Sequence, residues 1–204
     1  MQNTHSPFIS TRFATAAVCA VCLLATSLSH AQTPGISTEA TTSSAATDTP
    51  AELRGLLPPH KLLGKGRLTV WGFEVYDASL WVTPGFNADK LTALPFALEL
   101  AYLRDFTNSD IAKRSIAEMR RSATISDAQA DAWTAAMLRV IPNVKKGDRI
   151  TGVYRPGAGA AFLVNGKPSG EIMDAEFARL FFGIWLSPKT SEPKVRSALL
   201  AGAA

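Results

Sequence analysis

Arg67 and Tyr76 stand nine residues apart in GKGRLTVWGFEVYDASLW, residues 64–81, a run otherwise dominated by strand-forming side chains. A guanidinium and a phenol are donors that together suit a carboxylate, because both can direct N–H and O–H groups at one anionic oxygen. Gly72 interrupts the run. A two-residue turn at Trp71-Gly72 would pair Val70 with Phe73, Thr69 with Glu74, Leu68 with Val75 and Arg67 with Tyr76. That register puts Leu68, Val70, Phe73 and Val75 on one face and Arg67, Thr69, Glu74 and Tyr76 on the other. Directly opposed Cβ atoms lie about 5 Å apart, so Arg67, Tyr76 and Thr69 form a candidate anion-binding set. The competing use of such a face is solvent contact, with Arg67 and Glu74 as a surface ion pair contributing about 0–1 kcal/mol.

Other chemistry is sparsely represented. His60 is the one histidine after residue 31 and follows Pro58-Pro59 in a loop, where a structural or solvent-facing role is expected. With no second histidine there, a His-based metal cluster is ruled out, and the carboxylates show no ligand spacing. Neither a metal nor a cofactor is expected. The glycines at 64, 66, 157 and 159 do not form a phosphate loop. Arg104-Asp105 ends a strand within reach of a cleft and is read as a surface pair.

The elements that must position the hairpin are signalled by caps and periodicity. Thr107 with Asp110 opens a helix whose stripe is Ile111, Ala112, Ser115, Ile116 and Met119, while Lys113, Arg114, Glu118 and Arg120 point elsewhere. Ser126 with Gln129 opens a second, with Trp133, Ala136, Met137 and Val140 inward and Pro142 ending it. A third begins near Asp174 and carries Phe177, Leu180, Phe181, Ile184 and Trp185. A fourth follows Ser191 with Pro193 in its first turn. Strands are expected over 95–103, 148–156, 160–166 and 169–173, the last three joined as a meander through 156–159 and Asn165-Gly166. Antiparallel neighbours with grouped helices predict an α+β fold rather than a doubly wound sheet. Phe181, Phe182, Ile184 and Trp185 make the heaviest apolar cluster, mostly core, with one or two members lining a pocket beneath the helices.

Residues 1–31 have the layout of a secretory signal: Arg12, an apolar core over 14–28, and small residues at Ser29 and Ala31. Both cysteines, Cys19 and Cys22, fall inside it. Cleavage would leave no cysteine, hence neither disulfides nor thiol catalysis. The apolar core is too short for a membrane span, so an exported, periplasmic protein without a stable span after cleavage is expected. Residues 32–52, rich in Ser, Thr, Ala and Pro, read as a flexible tether, and residues 53–204 as one folded domain. Removing residues 1–31 takes Arg12 and no acid from the 21 basic and 17 acidic side chains. Such a balanced charge argues against nucleic acid as a partner.

Three segments carry a resemblance: LLGKGRLTVWGFEVYDASLWV, then KKGDRITGVYRPGAGAAFLVNGK, then FFGIWLSPKTSEPKVRSALL. In this order they resemble exported bacterial chalcone isomerase-like proteins, from about Leu53 to Leu200. The resemblance implies an open-faced α+β sandwich, a large antiparallel sheet covered on one side by helices with a ligand cleft between. Plant relatives cyclise chalcones to flavanones, while other members bind fatty acids through an arginine and a tyrosine that hold the carboxylate. Arg67 matches the position of that arginine, and Tyr76 is the tyrosine's candidate. Where the isomerases carry a tyrosine and an asparagine on the helix after Thr107, this chain offers Ile111 and Glu118, which counts against cyclisation. The implied activity is non-catalytic binding of a small amphipathic acid. An isomerase acting on a phenolic substrate and an accessory module with a vestigial cleft are the alternatives, and the resemblance names no protein partner.

Overall fold

The computed structural model describes residues 50–203, so the segment read as an export signal and most of the tether lie outside the described residues. Six strands follow one another in a single antiparallel meander: β1 Lys61–Val70, β2 Phe73–Val82, β3 Phe96–Tyr102, β4 Arg149–Arg155, β5 Gly159–Val164 and β6 Lys167–Ile172. Four helices accompany them: α1 Asn108–Met119, α2 Asp127–Val140, α3 Ala175–Leu186 and α4 Pro193–Leu199. This is the expected α+β architecture, and its helix starts follow local capping chemistry. The Thr107, Ser126 and Asp174 side chains accept the N–H groups of Asp110, Gln129 and Phe177, and Pro193 occupies the first turn of α4.

Alternation decides which way each strand faces. On the helix side Ala78, Leu80, Val82, Phe96, Leu98 and Phe162 are buried and join Phe177, Phe181, Phe182 and Trp185 of α3 in the main core. Phe96 stacks on Tyr154 at 4.9 Å and meets Phe182 edge-on at 5.1 Å, which fixes α3 across the middle of the sheet. The opposite, outer face has a small core of its own, where Trp81, Ala97, Val153, Ala161 and Leu163 are covered by Leu53 and Leu57. Leu53 belongs to the short 3₁₀ turn Ala51–Leu53, within the last residues of the stretch read as tether and the first of the domain.

β1 must lie very close to α4. A Cβ built on Gly64 would stand 2.3 Å from the carbonyl oxygen of Ala198, nearer than any side-chain carbon is tolerated. Only glycine lets the backbones meet there, and Ser191 and Glu192, just before α4, border the space under the hairpin.

The β1–β2 hairpin differs from the expected register by one residue. The turn falls at Trp71-Gly72, with Val70 opposite Phe73 and Thr69 opposite Glu74. Beyond that a β-bulge intervenes, so Leu68 opposes Tyr76 and Arg67 opposes Asp77. Val75 is the extra residue, and its carbonyl accepts the N–H of Leu103 at 2.9 Å. A bulge inserts one residue in one strand only. Every side chain of β2 from Tyr76 onward therefore faces opposite to its assignment in an unbroken hairpin.

Candidate functional site

The bulge separates the two residues singled out first. Arg67 lies on the outer face, where its Nε and NH2 donate to the Oδ1 and Oδ2 of Asp77 at 2.6 and 2.8 Å and its NH1 pairs with Glu74. Its side chain is 46% exposed. These two carboxylates push the Arg67 pKa upward, so the guanidinium remains charged. Thr69, opposite Glu74, is likewise exposed on that strand edge. Neither Arg67 nor Thr69 lines the cavity; Tyr76, turned inward by the bulge, does.

That cavity, of about 570 Å³, lies on the helix side, between the hairpin, the end of β3, α1, α3 and the loop entering α4. Its apolar wall draws on Leu68, Val75, Leu100, Ile111, Ile150 and Ile184. The residues that an unbroken hairpin would assign to its apolar side, Leu68, Val70, Phe73 and Val75, all border it. The apolar face of the hairpin is the one that meets the cavity. Phe181, Ile184 and Trp185 also reach it, while Phe182 packs into the core with Phe96 and Tyr154.

Two phenols stand in the wall. Tyr76 and Tyr102 oppose each other across β2 and β3 with ring centroids 6.1 Å apart, edge to face. The indole Nε1–H of Trp185 donates to the Tyr76 hydroxyl at 2.8 Å. The hydroxyl's own proton is not used in that bond. Burial pushes the Tyr76 pKa up to about 12, with the Trp185 hydrogen bond opposing. Burial raises the Tyr102 pKa as well, with the neighbouring Tyr76 phenol adding to it. Both phenols are therefore protonated at neutral pH.

Charges gather at the mouth. Glu118, grouped in the sequence with the outward-pointing charges of α1, is only 9% exposed and borders the cavity. Burial is tolerated because its Oε1 takes Arg114 NH2 at 2.8 Å and its Oε2 lies 3.5 Å from Arg121 Nε. Arg104 and Asp105 both border the mouth but do not pair with each other. Asp105 accepts the backbone N–H of Lys146 at 2.8 Å. The Arg104 guanidinium sits 4.8 Å from the Phe73 ring centroid and makes no ion pair among the described residues. Sequence reasoning undervalued this arginine because a charged residue beside an acid at a strand end looks like an ordinary solvent pair. Its distinguishing feature, the aromatic ring beneath it, comes from the hairpin.

His60 Nδ1–H donates to the carbonyl of Pro58 at 2.9 Å, and the ring lies away from the cavity. Among the described residues no group of three His, Cys, Asp or Glu side chains is gathered as a metal site would require. None of the described helices is long and apolar enough to cross a membrane.

Comparison with known proteins gives this geometry a context. The family model for chalcone isomerase-like proteins matches residues 45–201. An uncharacterized protein of Haemophilus influenzae is 26% identical over 131 residues, which cover 64% of this chain and 63% of that relative. The matched stretch is thus less than two thirds of the relative's length. Among solved structures, an Arabidopsis thaliana fatty-acid binding protein aligns with a TM-score of 0.54 at 11% identity, covering 71% of this chain and 88% of the other. At that identity the likeness is one of fold.

Proposed function

Because this chain belongs to the chalcone isomerase-like family, we propose that it is a non-catalytic binding protein for a small amphipathic acid of fatty-acid type. The observation that carries the reading is the cavity itself: an apolar chamber of about 570 Å³ with its cations confined to the mouth. That volume lies within the roughly 300–1,000 Å³ of ligand-binding clefts, and apolar lining with a few placed polar groups is their usual composition. The alkyl tail would lie along Leu100, Ile111, Ile150 and Ile184. The head would meet the Tyr76 hydroxyl and the cations at the mouth, Arg104 and Arg114. Arg104 is the stronger candidate for head contact because Arg114 already neutralises Glu118. The fatty-acid binding neighbour of the same fold supports the reading. Export is part of the proposal and rests on residues 1–31, so the ligand would be met outside the cytoplasm.

The test is calorimetric titration with palmitate and with hexadecanol, which share a tail and differ in head charge. A charge-assisted contact at an exposed mouth is expected to favour palmitate by about 1 kcal/mol, or about fivefold, and Arg104→Gln should remove the difference. Equal affinities in the unaltered protein would refute recognition of the acid. Turnover of a chalcone to flavanone above background would replace the binding reading with catalysis.

A further inference from the structure

Trp71, at the tip of the β1–β2 hairpin, is 94% exposed, flanked by Phe73 at 58% and Val70 at 36%. The other three tryptophans, Trp81, Trp133 and Trp185, are all buried. Trp71 also has φ 50 and is followed by Gly72 at φ 82, the pair of left-handed residues that a tight hairpin turn demands. Asn, Asp or Gly meets that demand with least strain, whereas a bulky aromatic at positive φ is disfavoured by about 1–2 kcal/mol. Nothing inside the fold compensates: among the described residues Trp71 makes neither a side-chain hydrogen bond nor an aromatic ring contact. An indole held in a strained turn and aimed at solvent has no partner among the described residues, and an exposed apolar tip of this kind marks a contact surface.

The surroundings indicate the kind of partner. Val70, Trp71 and Phe73 all border the cavity mouth, so the exposed apolar tip is continuous with the chamber's lining. Around the same mouth stand Arg104 and Arg114 with Asp105, Asp110 and Glu192, a rim of both signs. Such a rim suits a headgroup that pairs a phosphate with an ammonium better than a surface of one sign. The three tip side chains offer roughly 300–500 Å², short of the about 800 Å² per partner of a standard protein–protein interface. Tryptophan is by contrast the side chain enriched at the headgroup level of bilayers, with its ring apolar and its N–H wet.

We infer that the hairpin tip is an interfacial anchor: Trp71, with Phe73 and Val70, enters the headgroup layer of a zwitterionic phospholipid bilayer and seats the cavity mouth on it. A ligand then passes between bilayer and chamber without exposing its tail to water. That purpose rests on the binding reading above; the anchoring does not, and its test uses no acid.

The experiment adds vesicles of phosphatidylcholine and phosphatidylethanolamine to the purified, delipidated protein and follows tryptophan emission and co-sedimentation. Trp71 is the exposed indole among four, so emission should move to shorter wavelength and be quenched by lipids brominated high on their acyl chains. Trp71→Ser should weaken vesicle binding about tenfold, while Trp71→Tyr retains most of it. An unfolding midpoint for Trp71→Ser at or above that of the unaltered protein would establish that the loss is not misfolding. Vesicle binding absent from the unaltered protein, or undiminished in Trp71→Ser, would overturn the proposal. A stable dimer in light scattering that shields Trp71 without vesicles would overturn it too, assigning the tip to a second copy. Failure in any of these ways leaves the palmitate titration unaffected.

Discussion

Ile184→Trp is expected to lower affinity for palmitate by at least about 100-fold while leaving the protein folded. Ile184 projects from α3 into the chamber and is only partly buried, so a larger side chain there has empty space to enter. An indole in that position displaces the tail rather than the core. Losing burial of even four methylenes removes about 3 kcal/mol, a factor of about 200 in the dissociation constant. Urea unfolding separates the two effects. Stability within about 1 kcal/mol of the unaltered protein, with binding lost, is the expected result. Retained affinity would mean that the tail lies elsewhere.

The second large effect concerns alkaline stability. The Tyr76 phenol has its pKa pushed up to about 12 by burial, against about 10 in an unfolded chain. Below pH 10 both states hold the proton, and stability from the neutral buried phenol is fully present. Between about pH 10 and 12 the unfolded chain ionises first and binds fewer protons, so folding stability falls by up to about 3 kcal/mol across that window. Tyr102 adds a loss of the same sign. Tyr76→Phe should be less stable at pH 9, because the Trp185 N–H loses its acceptor, a deficit of about 1–3 kcal/mol. Its stability should then decline less steeply than that of the unaltered protein toward pH 11.5. Parallel decline in the two proteins, followed by urea midpoint against pH, would contradict burial of the phenol.

Local chemistry made most of the fold legible. The starts of α1, α2 and α3 are set by side chains that reach three residues along the chain, and α4 by its proline, so no tertiary information was needed to find them. The meander was readable for the same reason, with Asn165 at φ 50 and Gly166 at φ 79 forming one of its turns. The hairpin register was misread where phase mattered more than residue type. Phe73 and Val75 are apolar at odd positions, whereas Tyr76, Ala78, Leu80 and Val82 continue the apolar series at even ones. Both series face the helices, which requires one extra residue between them, and the bulge at Val75 supplies it. The break in alternation was visible in the sequence, but choosing a guanidinium and phenol as partners assumed an unbroken strand. Asp77 takes the place across from Arg67 that was assigned to Tyr76.

Glu118 shows a different limit. Its spacing from Arg114 is that of a solvent-side i, i+4 pair, yet it also stands three residues after Ser115 and seven after Ile111, at the margin of the helix's buried stripe. It is covered because α1 borders the cavity, with Arg121 supplying a second cation. Burial of this kind comes from packing between elements distant in sequence.

The most direct test of a tail-binding chamber is nuclear magnetic resonance of methyl-labelled protein with stearate carrying a nitroxide near the end of its chain. Selective broadening of the Leu100, Ile111, Ile150 and Ile184 methyls, with Val153 and Leu163 on the outer face unaffected, is the predicted result. Broadening centred on the outer face beside Arg67, or none at saturating ligand, would contradict it.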